Sequence, residues 1–291
     1  MSTWQARGPR TLERTQVYDL DSSVLGERLQ VTVAEPPLAG DGREPLATLV
    51  VLDPMATFDV VVGITRSLSL LAFGAFPPLL VVGVGYDADP LTTMSLRFRD
   101  LTPTDAPIPE LLAPPVPPAH GAGGADRFLD AIASDVLPHV ASEHRGDVSD
   151  VTIVGWSLAG LFGCHALLTR PEVFRRYLLA SPSIWWDDAG ILALEERTAA
   201  TREHLDAHVY LAVGEREEVA ETRAWPVAMP PAAVSAAAMV TNAERLVRRL
   251  RSRGTKGLDV HLEVLADEHH TSIFPSAASR GLLHLFGPSA A

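Results

Sequence analysis

Apolar positions along the chain follow two periods, one of about two residues and one of about 3.6, and the two alternate. Leu29, Val31 and Val33 are separated by polar or small residues, the pattern of a half-buried strand, which Pro36-Pro37 ends. The runs ATLVVLD (Ala47 to Asp53) and LLVVGVGY (Leu79 to Tyr86) are nearly continuous apolar stretches, as expected of strands covered on both faces. Val151 to Gly155, Arg176 to Ser181 and His208 to Gly214 continue the series, and Leu258 to Leu265 alternates with Val260, Leu262 and Val264 inward. Between them the spacing predicts helices over Val60 to Leu71, Asp126 to Glu143, Leu158 to Leu168, Met239 to Arg253 and Pro275 to Phe286. The alternation predicts an α/β fold: a mostly parallel central sheet with helices on both faces, preceded by an antiparallel amino-terminal strand or hairpin. Two segments break the rhythm: Thr102 to Gly124, with seven prolines and then HGAGG, and the Ala- and Pro-rich Val219 to Ala238. Irregular stretches of that length are functional or mobile. With no internal repeat or linker, residues 1–291 read as a single domain, residues 1–18 being a flexible amino-terminal tail.

Composition narrows the function. With 47% apolar and 21% charged residues the chain can bury a sizeable core. A net charge of -12 lacks the basic face that a phosphate backbone needs, so no nucleic-acid partner is expected. The one cysteine, Cys164, cannot form an internal disulfide. The polar start MSTWQARGPRTLERTQ is unlike a signal peptide, and the longest apolar stretch, Leu70 to Val84, is broken by Gly74, Pro77 and Pro78. A cytoplasmic protein with no membrane association is expected. HGAGG lacks the Lys-Ser/Thr ending of a phosphate cradle, so no nucleotide cofactor is expected either.

The candidate chemistry sits in VTIVGWSLAGLFGCHALL, which puts Ser157 between a strand and a helix, flanked by Gly155 and Gly160. A sharp strand-to-helix turn exposes a serine hydroxyl above the sheet, and the following helix aims free N–H groups at it. Ala159 stands where the G-x-S-x-G pattern has its second glycine. A serine needs an imidazole to become a useful nucleophile. After the last strand, ADEHHTSIFPSAASRGLLHLF offers His269 and His270, where the order serine, acid, histidine places the base. The acid belongs after the preceding strand, where VYLAVGEREE supplies Glu215, Glu217 and Glu218, and spacing alone does not choose among them. Asp267, Glu268, His269 and His270 lie together, but without an H-E-x-x-H spacing or a second ligand cluster no metal is expected.

These residues resemble the α/β-hydrolase esterases that include esterase D and the enterochelin and related siderophore esterases. The resemblance rests on SSVLG (Ser22 to Gly26), VLDPMATF (Val51 to Phe58), RFRDLTP (Arg97 to Pro103), GWSLAG, SPSIWW (Ser181 to Trp186) and EHHTSIFPSAASRGLLHLF. It implies the α/β-hydrolase fold and a serine carboxylic-ester hydrolase without a cofactor. The family's histidine precedes x-Ser, which favours His270, and its acid follows strand-Gly-x-x, which favours Glu217 with Glu215 second. A Ser–His dyad without a strong acid is a family variant. The resemblance further implies an oxyanion hole from the backbone N–H groups of Leu158 and Met55. There this chain has Asp53-Pro54-Met55 where the family has Asp-Gly-Asn. Trp185 and Trp186 are candidates to line the substrate pocket, and Arg97 and Arg99 to meet an anionic substrate. The substrate is expected to be a small-molecule ester: a siderophore lactone, a short acyl ester or another natural-product ester. Two alternatives are acyl transfer by the same triad and a non-catalytic binding module, the latter suggested only by Ala159 and Pro54.

Overall fold

The computed structural model describes residues 11–37, 44–72, 74–113, 118–200, 202–218 and 231–287. Its strands form one eight-stranded sheet in the order β1-β2-β4-β3-β5-β6-β7-β8. They are β1 (Thr15–Asp21), β2 (Arg28–Ala34), β3 (Leu46–Leu52), β4 (Leu80–Gly85), β5 (Gly146–Trp156), β6 (Arg176–Ala180), β7 (His204–Gly214) and β8 (Lys256–Leu265). β1 and β2 form an antiparallel hairpin, β2 runs antiparallel to β4, and the strands from β4 to β8 are parallel. This is the mostly parallel sheet with an antiparallel amino-terminal hairpin that the alternating pattern predicts, and the α/β-hydrolase arrangement that the resemblance implies.

The helices are α1 (Pro54–Leu71), α2 (Pro90–Leu101), α3 (Ala125–Ala131), α4 (Leu137–His144), α5 (Leu158–Thr169), α6 (Trp186–Ala199), α7 (Pro231–Ala237), α8 (Met239–Ser252) and α9 (Ile273–Phe286). They divide between the faces because strand side chains alternate. Leu49 and Val51 of β3 point to the face where Phe58, Val61 and Val62 of α1 pack beside Ile273, Phe274 and Leu282 of α9. Val50 and Leu52 point to the other face, covered by α2, α3, α5, α6 and α8. By length and composition α1 could cross a membrane, but it lays its buried face on the sheet. Helix α5, buried along Leu158 to Leu168, is the axis of the second layer. Its Phe162 is fully buried against Phe128, with ring centroids 5.7 Å apart. Phe162→Ala is therefore expected to cost about 3–5 kcal/mol of stability, read as a lower denaturant midpoint.

Several expectations need correction. The amino-terminal tail is shorter than residues 1–18, because Thr15 already pairs with Ala34 and the ladder continues to Asp21↔Arg28. Residues 1–10 lie outside the described residues. Val264 is exposed rather than inward, since β8 is an edge strand with only part of its length covered. The helix expected over Asp126 to Glu143 forms, but widens to a π turn at Ile132–Val136 just before Pro138. Proline lacks the N–H that an α turn needs there. Within the proline-rich segment only Glu110–Leu112 makes a turn of 3-10 helix among the described residues. Of Val219 to Ala238, residues 219–230 lie outside the described ones, and Pro231–Ala237 is helical.

Candidate active site

Strand register builds the site. Trp156 is level with Ala180, and Ala180 with Ala212, so β5 and β6 end level and β7 runs only a little further, to Gly214. The segments that follow them, Ser157, Ser181-Pro182-Ser183 and Glu215–Glu217, therefore meet at the carboxyl edge of the sheet.

Ser157 has φ 62° and ψ -117°, a conformation that costs a non-glycine residue about 1–3 kcal/mol and persists only when its surroundings impose it. They do. The Ser157 N–H donates to Ala180 O (3.0 Å), and Ser157 O accepts from the N–H groups of Leu161 and Ser183 (3.0 Å each). A Cβ on Gly155 would stand 2.3 Å from Ala159 O, so the turn before the serine requires glycine. Ala159 itself is fully buried and accommodated, which removes one ground for a non-catalytic reading.

His270 follows β8 on a short loop whose brace explains the H-x-S spacing. Ser272 Oγ accepts from the His269 N–H (3.0 Å) and donates to Glu268, and Ser276 also donates to Glu268. The loop points His270 Nε2 at Ser157 Oγ, 3.1 Å away, and His270 Nδ1 at Glu217 Oε2, 2.6 Å away. The three glutamates left open by the sequence take separate places. Glu215 accepts from the Asp267 N–H (3.1 Å), Glu218 accepts from the N–H and hydroxyl of Thr241 in the first turn of α8, and only Glu217 reaches the imidazole. Glu217 is buried, and its other oxygen accepts from the Gly214 N–H (2.7 Å) and from the Ser181 hydroxyl. A carboxylate with that many donors is held in one orientation, able to fix an imidazole tautomer. The acids tempting as metal ligands are engaged elsewhere, Asp267 with Arg216 and Glu268 with the two serines.

Two contacts have no counterpart in the sequence reading. Ser183 Oγ lies 3.3 Å from Ser157 Oγ, and Trp156 lies beside the His270 ring, with centroids 5.4 Å apart. The signal for the first is the SPS motif, whose meaning depends on β6 lying between β5 and β7.

The oxyanion candidates sit at two neighbouring helix starts. Leu158 is the first residue of α5 and Met55 the second of α1, and their parent strands β5 and β3 are adjacent and parallel. Both N–H groups belong to the first turn of a helix, where backbone donors lack intrahelical acceptors.

The expected substrate-binding residues fare differently. Trp185 is half-buried, packed against the core beside Trp186 with ring centroids 5.9 Å apart. Trp186 is buried, packs on Phe98 and donates its Nε1–H to Thr104 Oγ1 (3.0 Å), so it anchors the proline-rich segment instead of lining a pocket. Arg97 forms a bidentate pair with Asp53, and Arg99 pairs with Asp100 and Glu27 and donates to the Tyr86 hydroxyl. Neither guanidinium is held ready for an anionic substrate, because internal carboxylates already occupy both. Cys164 is core packing, and burial pushes its thiol up to about 12.

Residues 22–276 match the family described as Putative esterase. The chain belongs to this family of ester hydrolases. It is 32% identical over 219 residues to the ferri-bacillibactin esterase BesA of Bacillus subtilis, an alignment covering 72% of this chain and 69% of that protein. It is 33% identical over 232 residues to a siderophore enterobactin esterase of Emericella nidulans, covering 72% and 73%. Among solved structures, the siderophore hydrolase EstA of Aspergillus nidulans superposes with a TM-score of 0.82 at 26% identity, covering 97% of this chain and 98% of that one.

Proposed function

We propose that the protein is a serine esterase that cleaves siderophore or related natural-product esters through an acyl-enzyme. The observation that carries this reading is the unbroken relay Ser157–His270–Glu217, drawn from the ends of three parallel strands and their loops. In the first half-reaction Ser157 Oγ bonds to the ester carbonyl carbon while its proton passes to His270 Nε2. The carbonyl oxygen becomes an anion, placed to accept from the Leu158 and Met55 N–H groups. The bond to the alkoxy oxygen then breaks, and His270 returns the proton to the departing alcohol. Water repeats the sequence on the acyl-serine, giving its proton to His270, and the carboxylic acid leaves as Ser157 regains its hydrogen. Glu217 orients the imidazole through Nδ1 and stabilises the imidazolium as it forms.

Hydrolysis is favoured over acyl transfer because the proteins that the chain resembles are esterases and hydrolases; His270 is about a third exposed, which is compatible with water reaching the acyl-serine. A fluorophosphonate probe is expected to add to Ser157 and not to Cys164, located by mass spectrometry. A substrate series of nitrophenyl esters and ferric and iron-free trilactones, with an alcohol added as competing acceptor, then ranks the substrates and separates acid from transesterified product. Absence of the adduct in active protein overturns the reading. A cytoplasmic site of action goes with it, the compartment that suits a chain with one buried, unpaired thiol.

A further inference from the structure

The turn that carries Met55 is restrained from three directions, and each restraint comes from a residue with no part in the relay. Asp53 is left-handed, with φ 56° and ψ 50°, and although it stands at the N-cap of α1 its carboxylate does not cap the helix. The carboxylate turns to α2, where Arg97 Nε and Nη2 donate to it at 2.6 and 2.8 Å. The third nitrogen, Nη1, faces Met94 Sδ at 3.3 Å, so the whole guanidinium is engaged. Both side chains are largely buried, with Asp53 10% and Arg97 18% exposed. Pro54 sits on β4 in space left by two glycines: a Cβ on Gly83 or Gly85 would come within 2.8–2.9 Å of Pro54 or Phe58 atoms. The Thr57 hydroxyl lies within hydrogen-bond reach of Leu52 O (2.7 Å) and Asp53 O (2.9 Å), closing the turn from below.

We propose that Arg97 and Asp53 are a positioning pair that fixes the Asp53-Pro54-Met55 turn, holding the Met55 N–H where the oxyanion forms. This rests on the proposed ester hydrolysis and on the assignment of the Met55 N–H as an oxyanion donor. A proline in this turn closes off one backbone freedom, fixing its own φ near -65°. The remaining freedom lies at Asp53, whose left-handed backbone is rarely populated and needs an external hold. A planar guanidinium gripping both carboxylate oxygens supplies it, because two parallel hydrogen bonds define an orientation as well as a distance. The arginine that resemblance offers to the substrate thus acts on the enzyme's own backbone.

The test uses Asp53→Asn and Arg97→Lys, which keep size and, in the second, charge, but lose the two-pronged grip; Arg97→Ala is the harsher companion. An oxyanion donor displaced by a fraction of an ångström is expected to lower kcat about 10- to 100-fold, with KM changed less than about twofold. An aryl boronic acid, which adds to Ser157 as a tetrahedral anion, is expected to lose affinity by the same factor as kcat. Binding of a product carboxylate, which forms no such anion, is expected to stay unchanged. If both conservative variants keep wild-type kcat and boronate affinity while Ser157→Ala is inactive, the pair has no positioning role, though the esterase reading survives. Lower thermal stability with unchanged kcat would likewise leave the pair a purely structural role and overturn the proposal. If the wild type is neither labelled at Ser157 nor inhibited by the boronate, both proposals fall together.

Discussion

Ser157→Ala and His270→Ala are each expected to lower kcat for a nitrophenyl ester by about 10⁵- to 10⁶-fold, and the double variant by no more than either alone. The expectation follows from how the two side chains depend on one another. Without the imidazole 3.1 Å from its oxygen, the Ser157 hydroxyl is a weak nucleophile that must shed its proton to water. Without the hydroxyl, the imidazole has only water to activate, at an acyl carbon that the turn was not shaped to present to it. Residual turnover in all three variants is expected to lie about 10³–10⁴ above the uncatalysed reaction, because the α1 and α5 N-termini still polarise a bound carbonyl. Multiplicative losses in the double variant would mean that the residues act separately, and the relay would have to be given up. Circular dichroism guards against a trivial cause, and Ser157→Ala in particular should fold. Its strain is imposed by backbone hydrogen bonds, and the alanine keeps every one of them.

How much of this is legible in the sequence depends on whether the cause is local. The apolar runs of β3, β4 and β5 and the Gly-x-Ser turn announce themselves because burial on both faces and a tight elbow each demand residue types within a few positions. Helix α2 escapes the periodicity, although Asp89-Pro90 is a start signal: the Asp89 carboxylate accepts from the Leu91 and Thr92 N–H groups, and Pro90 opens the helix. Its apolar stripe, Leu91, Met94, Phe98 and Leu101, is thin among polar neighbours, and Leu91 and Met94 are exposed. Helix α6 escapes it for a different reason: its apolar residues Ile191, Leu192 and Leu194 are crowded together after a kinked start at Asp187 to Ala189, and polar residues follow, so no repeat is set up.

The roles of Arg97, Arg99 and Trp186 are hidden because their partners are far away along the chain. Asp53 is 44 residues from Arg97, Glu27 is 72 from Arg99, and Thr104 is 82 from Trp186. A motif can mark such residues without revealing what they touch. The difference among Glu215, Glu217 and Glu218 is of the same kind: the β8 loop brings His270 to Glu217 and the Asp267 N–H to Glu215, which spacing does not reveal.

Glu217→Gln is expected to lower kcat about 10³- to 10⁴-fold with a small change in KM, the loss seen when a triad acid is replaced by its amide. The reason lies in the donors that surround the carboxylate. One oxygen faces His270 Nδ1, and the other accepts from the Gly214 N–H and the Ser181 hydroxyl. If the amide nitrogen takes the first place, it donates to Nδ1, which forces the proton onto Nε2 and leaves no base facing Ser157. If it takes the second, a backbone N–H is pressed against an N–H and a buried donor goes unsatisfied, at about 1–3 kcal/mol. Either orientation spoils the site while preserving its volume, so the loss traces to proton placement and not to a cavity. Ser181→Ala removes one of the three donors and leaves the imidazole contact intact, so its loss is expected to be far smaller. Steady-state kinetics on the two variants, with fluorophosphonate labelling of Ser157 as an independent rate, makes the comparison. Should Glu217→Gln retain kcat within about threefold of wild type, where the amide loss is about 10³ or more, Ser157 and His270 would suffice as a dyad and the acid would be structural.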